Sequence, residues 1–495
     1  MTQKQIDKTW KTLDKDLNRI SQVELAASHA ARPMVAPGIA LAFIVMAGIA
    51  AAVFFGNSPN SFVVIAAAVF GAYMAINIGA NDVANNMGPA VGARALTMGG
   101  AIVIAAICES AGALLAGGDV VTTISKNIVD ASAISDDRIF IWTMLAALLS
   151  SALWVNLATW IGAPVSTTHA VVGGVMGAGI SAAGLGAVDW TTMGGIAASW
   201  VISPLMGGGI AAACLALIKW KVIYREDKIA AARVWVPILV GLMAGAFAAY
   251  LALKGLNHVI EISISTALLI GVVLGLATWA ISRPLIRRQS EGMENRNKSL
   301  KTLFGLPLVL SAGMLSFAHG ANDVANAVGP LAAIVHTVQY GDVTSEVELP
   351  GWVMMIGAAG ISFGLFLFGP KLIRMVGNQI TKLNPMRAYC VALSAALTVI
   401  VASWLGLPVS STHIAVGGVF GVGFFREWYM ERHLRKVVGD APVEKKIASV
   451  ERRRRKLVRR SHFLTVIAAW IITVPAAALL SALIFMILRF ITTQG

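Results

Sequence analysis

The sequence predicts an all-α polytopic membrane protein made of two inverted repeats with broken helices and two re-entrant hairpins. Three observations carry that expectation. Of the 495 residues, 57% are hydrophobic and 13% are charged, against about 25% charged in soluble domains. Apolar runs of about 20 residues, the length a helix needs to cross a bilayer, recur along nearly the whole chain. Two polar motifs embedded in those runs each occur twice, at spacings of 241 and 244 residues. Transmembrane strands would show shorter alternating segments, and the 48 glycines suit helices that pack closely in lipid.

Residues 1–35 are polar and mixed in charge, without a signal peptide. Their Ile6, Trp10, Leu13, Leu17, Ile20 spacing describes an amphipathic helix lying on the membrane surface or on the protein itself. Residues 36–60 hold an extra transmembrane helix that ends at the turn signal Gly-Asn-Ser-Pro-Asn. The first repeat, 61–218, runs from Phe62 into the first motif, then through a helix at 98–117 with the single acid Glu109. A polar connection at 118–138, a span at 139–161 and the second motif complete it. Residues 219–302 supply linking helices and basic loops, and residues 303–495 form the second repeat, with a basic loop at 425–462.

The net charge of +14 would point to nucleic acid in a soluble protein. Here the bases sit in loops between apolar segments, where they report topology, so no nucleic-acid partner is expected. Loops 219–233, 283–301 and 425–462, the last with the Arg452 to Lys456 run, are read as cytoplasmic, as is the N-terminus. Threading the spans puts 118–138, with Asp119, Asp130, Asp136 and Asp137, outside, and its counterpart 371–385, with Lys371, Arg374 and Lys382, inside. The repeats then cross in opposite senses, as in secondary transporters, whose sites lie near the midplane between the halves. Cys108, Cys214 and Cys390 lie in apolar segments without metal-type spacing and are read as packing residues.

The first motif is Gly-Ala-Asn-Asp-Val-Ala-Asn at 79–85 and again at 320–326; nine of eleven positions agree through 89 and 330. A carboxylate in such a run costs a few kcal/mol and is a functional hypothesis by default. Asp82, Asn85, Asp323 and Asn326 supply carboxylate and amide oxygens on an i, i+3 face, the donor chemistry of a hard cation.

The second motif, Pro164-Val-Ser-Thr-Thr-His169 and Pro408-Val-Ser-Ser-Thr-His413, is each time followed by a glycine-rich tail. A proline with adjacent hydroxyls marks a helix N-terminus, whose amides and dipole favour anions. A full span is the alternative to a re-entrant hairpin for these segments. His169 and His413 are read as packed residues, with proton carriage as the alternative. Glu109, whose counterpart region Gly357 to Ser362 holds no acid, is a candidate for coupling or gating.

These paired motifs resemble the inorganic phosphate transporter (PiT) family over roughly 61–490 apart from the loops. The resemblance implies a membrane phosphate transporter driven by a cation gradient, with inverted repeats, two re-entrant hairpins and a homodimer. By motif position, Asn81, Asp82, Asn322 and Asp323 with Ser166, Thr167, Thr168, Ser410, Ser411 and Thr412 would form the phosphate and cation site. The form of the first motif is similar to the sodium-coupled branch, so the expected activity is sodium–phosphate symport in the cell membrane by alternating access. Sodium is then a co-transported ligand, and no cofactor is expected. Proton coupling and a sulfate or other oxyanion cargo are the alternatives within the class; a phosphate channel or receptor is the alternative outside it. An enzyme is not expected, because no nucleophile and base pair or metal triad adjoins either motif.

Overall fold

The computed structural model describes residues 34–56, 61–130, 133–134, 136–161, 165–255, 261–341, 349–375, 383–438 and 460–493. The leader at 1–33, the turn at 57–60, Pro164, Lys382 and the Arg452 to Lys456 run lie outside them. Among the described residues the only departure from helix and connection is an antiparallel bridge between Val129 and Val188. Ten helices are long and apolar enough to cross a membrane, or eleven if the bent pair Asn297–Leu303 and Gly305–Tyr340 is one span.

The extra N-terminal span is α1 (Met34–Phe55). It is followed by α2 (Ser61–Asn81), α3 (Val83–Gly92), α4 (Met98–Ala116) and the short α5 (Gly118–Thr122). Then come α6 (Asp137–Ile161), α7 (Thr167–Ala183) and α8 (Trp190–Ile218). The linking spans are α9 (Lys228–Lys254) and α10 (Ile264–Gln289). The rest of the chain forms α11 (Asn297–Leu303), α12 (Gly305–Asp323), α13 (Ala325–Tyr340) and α14 (Gly351–Met375). It ends with α15 (Pro385–Trp404), α16 (Ser411–Val438) and α17 (Arg460–Thr493).

Local chemistry sets these boundaries. Thr97, Asp189, Asp227, Ser263 and Asn384 each accept a backbone amide in the first turn of the helix that follows, which satisfies a donor the helix itself cannot. The break at the first motif is shallow. Asp82 interrupts α2 and α3 as one residue with helical angles (φ −89°, ψ −34°), and Val324 does the same between α12 and α13 (φ −56°, ψ −32°). The chain swerves there without unwinding.

The expected polar connection at 118–138 also takes a different form. Val120, Val121 and Ile124 are buried, and the Thr123 hydroxyl donates to the Gly406 carbonyl at 2.7 Å. Apolar residues scattered among its acids find cover under α13, so its stretch 118–127 is helical. Asp119 at its start pairs with Lys254 at the end of α9.

Packing between the matched segments is reciprocal. α2 lies on α14 while α4 lies on α12, and α7 lies on α17 while α16 lies on α8. Glycines permit these approaches: a Cβ at Gly79 or Gly364 would overlap backbone of the other helix of the first pair, and at Gly112 or Gly320 of the second. Gly173 and Gly177 on α7, and Gly417 and Gly421 on α16, play the same part against α17 and α8. The counterpart serines Ser110 and Ser362 meet at 2.8 Å, where the two exchanged pairs touch.

Candidate functional site

The first turns of α7 and α16 converge on one carboxylate. Ser166 and Ser410 cap these helices, accepting the amides of His169 and His413 at 3.2 and 3.3 Å. The next hydroxyls then face inward. Thr167 donates to Asp82 Oδ2 at 2.7 Å, and Thr412 donates to Asp82 Oδ1 at 3.1 Å. Asp82 thus stands where the amide ends of α7 and α16 meet, with both oxygens engaged by hydroxyls from different halves of the chain.

The asparagines of the first motif divide their work. Asn85 donates to the Thr412 hydroxyl at 2.9 Å, and its counterpart Asn326 donates to Thr168 at 3.1 Å and Thr167 at 3.3 Å. Each reaches across to the first-turn hydroxyls of the helix from the other half. Asn322 bonds the Leu407 carbonyl at 3.1 Å, the Val409 amide at 3.2 Å and the Ser403 hydroxyl at 3.0 Å, while Asn81 reaches the Val165 carbonyl at 3.5 Å. These two therefore hold the loops that lead into α16 and α7. Thr168 in turn donates to the Val409 carbonyl at 3.1 Å.

Asp323 is buried beside Asp82 but is held differently. His319, one turn earlier on α12, brings Nε2 to 3.0 Å from Asp323 Oδ2. Its Nδ1 lies 2.6 Å from Glu109 Oε2. Glu109 Oε1 accepts the Asn86 amide at 2.9 Å, so Asn86, Glu109, His319 and Asp323 form a buried string across α3, α4 and α12. One ligand atom each from Asp82, His319 and Asp323 lie within 4.8 Å of one another, a donor set able to hold a cation. Asp323 Oδ1, Asn326 Oδ1 and the Ser411 hydroxyl are buried without a protein partner, which is costly unless a ligand completes them.

Sequence reasoning placed the two acids, four asparagines and six hydroxyl residues in one region, and the structure brings them together. It did not find His319. The signal lay in comparing the copies: His319, Glu109 and Asn86 align with Ile78, Ile361 and Ala327, so all three polar residues fall where the repeat breaks its own pattern. His169 and His413 pack edge to face on one another at 4.5 Å, and on Trp200 at 3.9 Å and Trp470 at 3.6 Å. Their rings pack behind the first turns of α7 and α16.

A family model described as the phosphate transporter family matches residues 78–481. A Helicobacter pylori protein named as a phosphate permease is 44% identical, covering 96% of this chain and 99% of that one. The chloroplastic inorganic phosphate transporter 2-1 of Arabidopsis thaliana is 35% identical, covering 84% of this chain and 70% of that one. The solved structure of the sodium-dependent phosphate transporter superposes with a TM-score of 0.78 at 34% identity, covering 87% of this chain and all of that one.

Proposed function

Because this multi-pass membrane chain belongs to the phosphate transporter family, a family of transporters and not of enzymes, we propose that it carries inorganic phosphate together with sodium by alternating access. The observation that carries this reading is the Asp82 carboxylate, bound at once by first-turn hydroxyls of α7 and α16. Two helix amide ends directed at one point favour an oxyanion, yet the point already holds a carboxylate. Phosphate can approach only if cations neutralise the acids. Sodium bound by Asp82, Asn85, Asp323 and Asn326 does so, and that requirement is the coupling: neither ion is stable there without the other.

In this reading Thr167, Thr168 and Thr412 face phosphate and Ser411 completes the cation shell on Asp323, with Ser166 and Ser410 fixing the helix ends and Asn81 and Asn322 fixing the loops before them. The units 61–218 and 303–495 are inverted repeats, and their reciprocal packing supports rocking about the Ser110–Ser362 contact. The N-terminus is cytoplasmic. The test is uptake of labelled phosphate into proteoliposomes with and without an inward sodium gradient, with excess sulfate as competitor. Sodium should accelerate uptake and sulfate should leave it unchanged. Equal rates with and without sodium would remove sodium from the mechanism.

A further inference from the structure

A second polar cluster lies away from the acids, where α8, α15 and α16 meet. Lys219 immediately follows α8, Arg387 is in the first turn of α15, and Arg426 lies on α16. These three helices pack on one another, which brings the three cations to one corner of the fold, and all are only partly exposed. Among the described residues no carboxylate pairs with any of them. Arg387 bears the further disadvantage of a positive charge at a helix N-terminus, partly met by Asn384, whose Oδ1 accepts its Nε at 3.1 Å. Half-buried cations that no described carboxylate pairs are unfavourable on their own, and an anion beside them would relieve that cost.

What adjoins the cluster identifies the anion's chemistry. Lys219 Nζ lies 4.3 Å from the Tyr429 ring centroid and 5.2 Å from that of Phe425. Phe425 also lines an apolar groove of about 1020 Å³ that runs along α8 and α16 to α17. Pro204, Gly208, Phe420, Phe424, Trp428 and Trp470 form much of its wall. Phe424 and Trp428 are exposed, so the groove opens on the face that meets lipid. Small-molecule sites are commonly about 300–1000 Å³, so this groove has the capacity for a whole ligand. A molecule with an anionic head beside a hydrocarbon body satisfies both parts at once, whereas free phosphate satisfies only the first.

We propose that this groove is a binding site for one anionic phospholipid, its phosphate on Lys219, Arg387 and Arg426 and an acyl chain between α8 and α17. The reasoning does not depend on the cargo of the transport site. Basic pockets between transmembrane helices are the general means of selecting anionic headgroups, each cation contributing about fivefold in affinity.

The test is native mass spectrometry of the purified full-length protein with phosphatidylglycerol or phosphatidylcholine in mixed micelles. Phosphatidylglycerol should be retained over phosphatidylcholine by on the order of 100-fold. The combined Lys219→Gln, Arg387→Gln, Arg426→Gln variant should lose that preference. Ala212→Trp fills the groove and leaves the cations intact, and should reduce retention of both lipids. For wild-type protein, which carries no risk of misfolding, retention should fall as salt rises and persist in millimolar inorganic phosphate. Equal retention of the two lipids overturns the proposal, as does displacement of the lipid by phosphate. So does a lipid-free dimer that Ala212→Trp dissociates, which would make the groove a contact between copies.

Discussion

Asp82 and Asp323 occupy matched positions in the two copies of one motif, yet each is stabilised by a different kind of neighbour. Asp82 accepts hydrogen bonds from two neutral hydroxyls, one on α7 and one on α16. Asp323 faces an imidazole backed by a second carboxylate, and its Oδ1 has no protein partner. By the repeat spacing, Ser411 is to Asp323 what Thr167 is to Asp82, and the Ser411 hydroxyl is also unpartnered. One acid is therefore closed by the protein and the other is left open. Duplication supplied two equivalent carboxylates, and the departures from it at 86, 109 and 319 made one of them distinct.

The strongest way to break this comparison is to neutralise each acid in turn. Asp82→Asn and Asp323→Asn should each reduce sodium-driven phosphate uptake to about 1% of wild type or less, while the protein still inserts in the membrane. The two losses should differ in origin. Asp323→Asn leaves the Thr167 and Thr412 clasp on Asp82 intact and should abolish sodium binding, measured by calorimetry. Asp82→Asn loosens the clasp itself, because an amide oxygen can accept while its nitrogen cannot, and should weaken phosphate binding as well. Wild-type uptake by both variants would take the acids out of the mechanism.

The next largest effect concerns the Glu109–His319 pair. Its counterparts are Ile361 and Ile78, so the protein itself shows an apolar solution to the same packing problem. Glu109→Ile alone leaves the buried His319 without the carboxylate on its Nδ1 side, and should cost about 3–5 kcal/mol. Adding His319→Ile should restore most of that stability, because replacing a whole buried pair by apolar residues is often near neutral. Uptake by the double variant should nevertheless fall about tenfold, since Asp323 loses the group that orients it. Thermal unfolding in detergent alongside the uptake assay checks both parts. A double variant no more stable than the single one would mean that the pair is not a unit.

Much of this was legible in the sequence. Apolar runs gave the spans, and paired motifs at nearly equal spacing gave the duplication and the residues that the structure gathers around Asp82, because a buried polar group is costly enough in lipid to be noticed when it recurs. The asymmetry was less visible. His319 lies one turn before Asp323, in a run otherwise read as apolar, and its partner Glu109 is 210 residues away. Only the packing of α4 on α12 joins them. The roles of Asn81 and Asn322 were hidden for a related reason: an asparagine that binds a loop carbonyl and one that binds a ligand look identical in a motif. Helical angles at Asp82 and Val324 likewise follow from tertiary packing, which holds the chain in helix where the motif alone reads as a break.

The smallest expected effect tests the open acid most directly. Thr412→Val removes both a donor to Asp82 and the acceptor of Asn85, and the KM for sodium should rise about tenfold with a lower Tm, because protein hydrogen bonds are lost. Ser411→Ala removes a hydroxyl that no protein group uses. Where that hydroxyl completes the shell of a cation on Asp323, the sodium KM should rise about fivefold, from the loss of about 1 kcal/mol, while the sodium-free protein keeps its Tm. Thermal scans with and without sodium separate the two cases, since a ligand that binds only the folded protein raises Tm in proportion to its affinity. Ser411→Ala should therefore lose part of the sodium-dependent rise and nothing else. A fall in the sodium-free Tm equal to that of Thr412→Val would mean that Ser411 is a structural hydroxyl and that both acids are closed by the protein.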